Sequence, residues 1–162
     1  MKFHGLNGGI DLFYMISIFI ILLDQVSKIW IRFEMQLGEL KFFGNDLVHF
    51  NYYENSGAAF SSFQGYGRLF VIFAILVVVV ILYYRKKGEI RGLFMDVGTG
   101  LLVGGAIGNA IDRAWRGSVT DFIVLGSQTG IMNIADIAIN FGVILIIIGM
   151  LVTSIRQRKR SS

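Results

Sequence analysis

The chain has 162 residues, 54% of them hydrophobic and 16% charged, with a formal net charge of +4 and a mean hydropathy of +0.65. A soluble domain carries about 25% charged residues, so this balance points to a membrane protein, and its length to one domain. Cysteine is absent and the two histidines, His4 and His49, lie far apart, which excludes disulfides and thiol chemistry and argues against a histidine zinc site. The basic residues sit beside apolar runs, the pattern of membrane orientation, so the positive charge does not call for a nucleic acid partner.

Four segments, residues 12–33, 67–84, 93–111 and 134–155, are each long enough to cross a hydrocarbon core of about 30 Å as a helix. The first carries Asp24 inside its apolar run and has no small-residue cleavage site after it, so a cleaved signal peptide describes it poorly. Asp24 and Lys28 stand four apart and share a helical face. Two readings of them stay open: an ion pair that orients the segment against its neighbours, and direct contact with a substrate.

The connection from residue 34 to residue 66 is too long to be a simple link. Its stretch LVHFNYY alternates apolar and polar side chains, which predicts a short strand or hairpin with Val48, Phe50 and Tyr52 on one face, lying on the membrane surface. The following ENSGAAFSSF is rich in small residues, where backbone can come close to a ligand or another helix.

After the second segment come Arg85, Lys86, Lys87 and Arg91; the C-terminal tail carries Arg156, Arg158, Lys159 and Arg160, and the N-terminal end Lys2. The other two connections hold fewer basic residues, Lys41, Arg113 and Arg116. The asymmetry predicts cytoplasmic termini and two outer loops. Asp24, Lys28, Asn109, Asp112, Asp121, Asn133 and Asp136 then fall at one depth, the outer leaflet, while Asp96 falls near the cytoplasmic end of the third segment.

Gly100, Gly104 and Gly108 repeat every four residues in the third segment, a pattern that lets helix backbones approach closely. Asn109, Asp112 and Arg113 follow on one face, and the simplest reading of Asp112 beside Arg113 is a structural pair that holds the helix end. In NIAD, Asn133 reads as an N-cap with Asp136 at N3, and Asp121 reads as a solvated loop acid. Against both readings stands their setting at the membrane boundary. Two carboxylates brought together there would share one proton, one acting as base toward water and the other donating to a carbonyl. A proton- or ion-coupled transporter using Asp24, Lys28 and Asp136 is the alternative, as is a structural assembly subunit.

The blocks DQVSK (24–28), NSGAAF (55–60), GGAIGNAIDR (104–113), VTDF (119–122) and NIAD (133–136) resemble, in order and spacing, the signature blocks of the lipoprotein signal peptidases, or signal peptidase II family. The resemblance covers essentially the whole chain and departs from the usual pattern at Ala110 and Met132. It implies four transmembrane helices with a small extracytoplasmic β-cradle in the first outer loop. It also implies an intramembrane aspartic endopeptidase that removes the signal peptide N-terminal to a diacylglyceryl-modified cysteine. Asp121 and Asp136 would be the catalytic dyad; Asp24, Lys28, Asn55, Gly108, Asn109, Asp112, Arg113 and Asn133 would bind substrate or support the dyad. The expected partners are a diacylglyceryl-prolipoprotein and membrane lipid, with no cofactor, no metal and a monomeric enzyme. The expected location is the bacterial cytoplasmic (inner) membrane, with the active site at its outer face.

Overall fold

Glycine spacing decides how the helices meet. The computed structural model describes residues 8–42, 48–57, 65–125 and 130–161. Lys2, His4, residues 58–63 of the small-residue stretch and the link 126–129 lie outside the described residues. In chain order the elements are α1 (Gly8–Glu34), β1 (Leu40–Phe42), β2 (Val48–Asn55), α2 (Leu69–Lys86), α3 (Leu93–Arg116), β3 (Val119–Leu125), β4 (Ile131–Met132) and α4 (Ile134–Ser161). All four helices are long and apolar enough to cross a membrane, and large apolar side chains such as Phe19, Val26, Phe73, Val79, Ile147 and Leu151 stand exposed on them. Such a surface is stable only against lipid.

The centre of the bundle is α3, and it has two glycine ridges. A Cβ on Gly104 would lie 2.8 Å from Ile20 Cβ and one on Gly108 2.6 Å from Asp24 Oδ2, so this ridge seats α1. A Cβ on Gly98 would lie 2.9 Å from the Gly142 carbonyl oxygen, so the other ridge, which includes Gly105, seats α4. Backbone-to-backbone packing of this kind substitutes for the hydrophobic drive that lipid removes. Helix α2 packs mainly along α3. At the end of the bundle away from the sheet it is tied by Arg85, whose guanidinium is 2.8 Å from Asp96 and 4.2 Å from the Phe13 ring centroid.

At the opposite end the two long connections meet in one antiparallel sheet of order β1-β2-β3-β4. The cradle expected from the first loop is present, and the loop between α3 and α4 supplies its other two strands. Ile31, Met35, Tyr52, Phe122 and Ile123 form its core, with Phe50, Met132, Ile134 and Ile137 packed against them. Of the expected face, Phe50 and Tyr52 both pack in this core and Val48 does not. The β2–β3 register shifts between Phe50 and Tyr53, and an extra residue in a strand ends strict alternation. Val48 is exposed while His49 and Tyr52 are buried. Gly117, at φ 79°, stops α3 in the left-handed conformation and donates to the Arg113 carbonyl, a geometry glycine adopts without steric cost. Gly67 lies so close to the Gly117 and Ser56 carbonyls that no side chain fits there.

Candidate active site

The site begins with a buried cation. Lys28 Nζ lies 2.8 Å from Asp24 Oδ2 and 3.3 Å from Asp112 Oδ2, and it donates to Asn109 Oδ1 at 2.8 Å. Lys28 and Asp24 are 0% exposed, and their ion pair lies wholly inside the bundle. Asp24 also accepts the Ala135 N–H at 2.9 Å, placing a carboxylate on the N-terminus of α4, where the helix leaves donors unsatisfied and its dipole favours negative charge. Gly108 is where α1 presents this carboxylate to α3, and the missing side chain makes the room.

Asp112 does not pair with Arg113. It faces Lys28, accepts the Thr120 N–H at 3.2 Å and lies 3.9 Å from Arg32. Consecutive helical residues point about 100° apart, so Arg113 turns elsewhere. It donates to the Gly57 carbonyl at 3.0 Å and stands 5.2 Å from the Phe70 ring centroid.

Two amides carry this scaffold to the candidate dyad. Asn109 Oδ1 receives both Lys28 and Asn133 Nδ2, which fixes the amide and aims its Nδ2 at Asp136 Oδ1, 2.8 Å away. Asn133 caps α4 as expected: its Oδ1 accepts the Asp136 N–H at 2.9 Å, and Asp136 Oδ2 accepts the Asn133 N–H at 3.1 Å. The same side chain donates to Asp121 Oδ1 at 2.7 Å. NIAD is thus at once a helix cap and a bridge between the two acids.

Asp121 is not a solvated loop acid. It lies on β3, 3% exposed, and Asn55 Nδ2 reaches its Oδ2 at 3.0 Å. Burial and then the negative charge of Asp136 push its pKa up to about 7, against hydrogen bonds from Asn55 and Asn133. One proton is therefore available on it near neutral pH. Two carboxylates repelling each other, each held by carboxamide donors, are suited to general acid–base work on a water and a carbonyl.

All ten residues singled out from sequence are placed in the structure. Asp24, Lys28, Asn55, Asn109, Asp112, Asn133, Asp121 and Asp136 join one hydrogen-bonded assembly, Gly108 lines it, and Arg113 reaches the start of α2. Sequence reasoning missed Arg32, Thr120 and Glu54. Arg32 donates to Thr120 Oγ1 at 2.9 Å, and its place four residues beyond Lys28 continues the Asp24–Lys28 spacing, a signal that was available. Thr120 and Glu54 are flagged only as sequence neighbours of Asp121 and Asn55.

A family model for signal peptidase (SPase) II matches residues 16–152. The lipoprotein signal peptidase of Staphylococcus aureus (strain MRSA252) is 34% identical over 149 residues, covering 90% of this chain and 91% of that protein. Among solved structures, a bacterial membrane enzyme determined by the in meso method at 2.3 Å superposes with a TM-score of 0.82 at 34% identity, over 93% of this chain and 91% of the other. A second such enzyme, at 1.9 Å, gives a TM-score of 0.78 at 35% identity, over 91% of this chain and 94% of the other.

Proposed function

The chain belongs to the signal peptidase II family, and from that premise we propose that it is an aspartic endopeptidase. It cuts diacylglyceryl-modified prolipoproteins on the N-terminal side of the lipidated cysteine. The observation that carries the reading is the coupling of Asp121 and Asp136. Asn133 donates to both, and the charge on Asp136 helps lift Asp121 to a pKa of about 7. With one proton shared between them, the ionised carboxylate takes a proton from a water, and the resulting hydroxide attacks the scissile carbonyl carbon. The protonated carboxyl donates to the carbonyl oxygen as charge develops there. Collapse of the tetrahedral intermediate breaks the C–N bond, and a dyad proton goes to the leaving amine. The titration belongs to the pair rather than to either acid.

Asn109, Asn133 and Asn55 hold the carboxylates in place, and Asp24, Lys28 and Asp112 hold the amides. Arg113, beside Phe70 on α2, is positioned to contact the substrate backbone. The sheet end is the outer face: the exposed aromatics Phe33 and Trp115 fit the headgroup belt, and the basic Arg85–Arg91 connection stays cytoplasmic. A lipid-anchored cysteine presents its peptide bond at that depth while its acyl chains remain in the bilayer. Apart from Asp96, which pairs with Arg85 at the far end, the buried acids gather at the sheet end of the bundle, which speaks against a proton relay through its depth.

The test is cleavage of a diacylglyceryl-modified prolipoprotein by purified protein in lipid. Asp121→Asn and Asp136→Asn should each abolish cleavage while the protein stays folded. Full activity in either variant overturns the dyad, and equal cleavage of the unlipidated precursor overturns the substrate class.

A further inference from the structure

Glu54 has more partners than a rim carboxylate needs. Its Oε1 accepts hydrogen bonds from the Tyr52 hydroxyl at 2.8 Å, the Thr120 hydroxyl at 3.0 Å and Arg116 Nη2 at 3.1 Å. Its Oε2 accepts from Ser118 Oγ at 2.6 Å. The side chain is 19% exposed. Burial acts to raise its pKa, but the bonds from Ser118, Tyr52 and Thr120 and the charge of Arg116 outweigh burial and hold the carboxyl below its usual range. One ionised group thereby ties β2, β3 and the C-terminal turn of α3 together.

Its place in the sheet gives those bonds a consequence. After the irregularity between Phe50 and Tyr53, the register resumes with Tyr53 opposite Asp121, Glu54 opposite Thr120 and Asn55 opposite Val119. Successive strand residues face opposite sides, so Glu54 and Thr120 meet on one face while Asn55 and Asp121 meet diagonally on the other. A slip of one residue would turn the Asn55 amide away from the acid. Thr120, fully buried, is gripped at three points. Its N–H goes to Asp112, its hydroxyl oxygen accepts from Arg32, and its hydroxyl proton goes to Glu54.

We infer that Glu54 is a positioning residue for Asp121: bonded to Thr120, with Arg32 and Asp112 behind it, it sets the strand register that delivers the Asn55 amide to the Asp121 carboxylate. The inference rests on the aspartic-peptidase reading. Glu54 touches neither acid of the dyad and acts through its two strand neighbours.

The experiment uses full-length protein in lipid with a diacylglyceryl-modified prolipoprotein, reading kcat, KM and the pH profile for Glu54→Gln, Thr120→Val and Thr120→Ser. Displacement of a supporting group by about 1 Å costs up to about a hundredfold, so Glu54→Gln and Thr120→Val should lower kcat by about tenfold to a hundredfold with KM unchanged. Asn55 favours the charged form of Asp121, so a misaligned Asn55 should move the alkaline limb of activity to higher pH. Thr120→Ser, which keeps the hydroxyl, should restore both readouts. Folded Glu54→Gln and Thr120→Val proteins with unchanged kcat and an unmoved limb overturn the inference, as does a fall in kcat with the limb unmoved. If Glu54→Gln does not fold, the Thr120 pair decides by the same criteria. Failure of the unsubstituted protein to cleave refutes the peptidase reading itself. Cleavage that is lost in Asp121→Asn but normal in the Glu54 and Thr120 variants refutes only the positioning role.

Discussion

Replacing Asp121 by asparagine should flatten the pH dependence of stability while abolishing activity. In the unfolded chain this carboxyl titrates near 3.8, whereas burial and the charge of Asp136 raise it to about 7 in the folded protein. A raised folded-state pKa means that the folded chain holds a proton that the unfolded chain has released. Stability is therefore undiminished below about pH 4 and falls as pH rises toward 7. The shift is about 3 units at 1.36 kcal/mol each, so the loss by pH 8 reaches about 4 kcal/mol. That is a large share of the 5–15 kcal/mol typical of a folded domain. Asparagine keeps the shape and an oxygen for the Asn133 donor, though it gives up the acceptor of the Asn55 amide; because it does not titrate, the variant should lose this slope. Unfolding in mixed detergent micelles, followed from pH 5 to pH 8 for both proteins, measures the difference directly. Parallel pH curves for the two would refute the reasoning, because they would mean that the Asp121–Asp136 pair holds no extra proton in the folded state.

Four further outcomes follow from named contacts. Gly108→Ala puts a methyl group 2.6 Å from Asp24 Oδ2 and should destabilise by about 1–3 kcal/mol, the usual range for overpacking, in the same unfolding assay. Lys28→Met leaves Asp24 and Asp112 without their shared cation and should cost about 3–5 kcal/mol, as breaking a buried ion pair does; adding Asp112→Asn should recover part of that loss. Asn133→Ala removes a helix cap worth about 1 kcal/mol and a donor to Asp121, so residual cleavage should keep its alkaline limb at higher pH than in the unsubstituted protein. Because the chain has no cysteine, Trp115→Cys and Lys87→Cys are single labelling sites. A membrane-impermeant maleimide added outside intact cells should modify the first and spare the second.

Local spacing made part of this molecule readable in advance. The four apolar runs, the Asp24–Lys28 turn, the Gly100–Gly104–Gly108 ridge and the Asn133 cap all depend on partners three or four residues apart, so helical periodicity exposes them. Contacts between distant segments left no such trace. Asp112 sits beside Arg113 in the chain, yet its cation is Lys28 on another helix. Asp121 lies in the short connection between two membrane-length segments and so reads as loop, and only pairing with β2 makes it part of a buried strand. The second ridge, Gly98 and Gly105, shows its purpose only once Gly142 of α4 lies against it. The register shift in β2 was invisible because it takes the partner strand to define it.

The Asp24–Lys28 pair also bears on how the enzyme is made. Helices enter a bilayer before they associate, and a lone charge there is expensive. Helix α1 carries both signs of charge one turn apart, 2.8 Å from each other, so it can enter nearly neutral and without help from the rest of the chain. The links from Lys28 to Asn109 and from Asn109 to Asp136 span three different helices and exist only once α1, α3 and α4 have docked. A half-built bundle therefore lacks the bond by which Asn109 holds Asp136, and that support arrives only with the last helix.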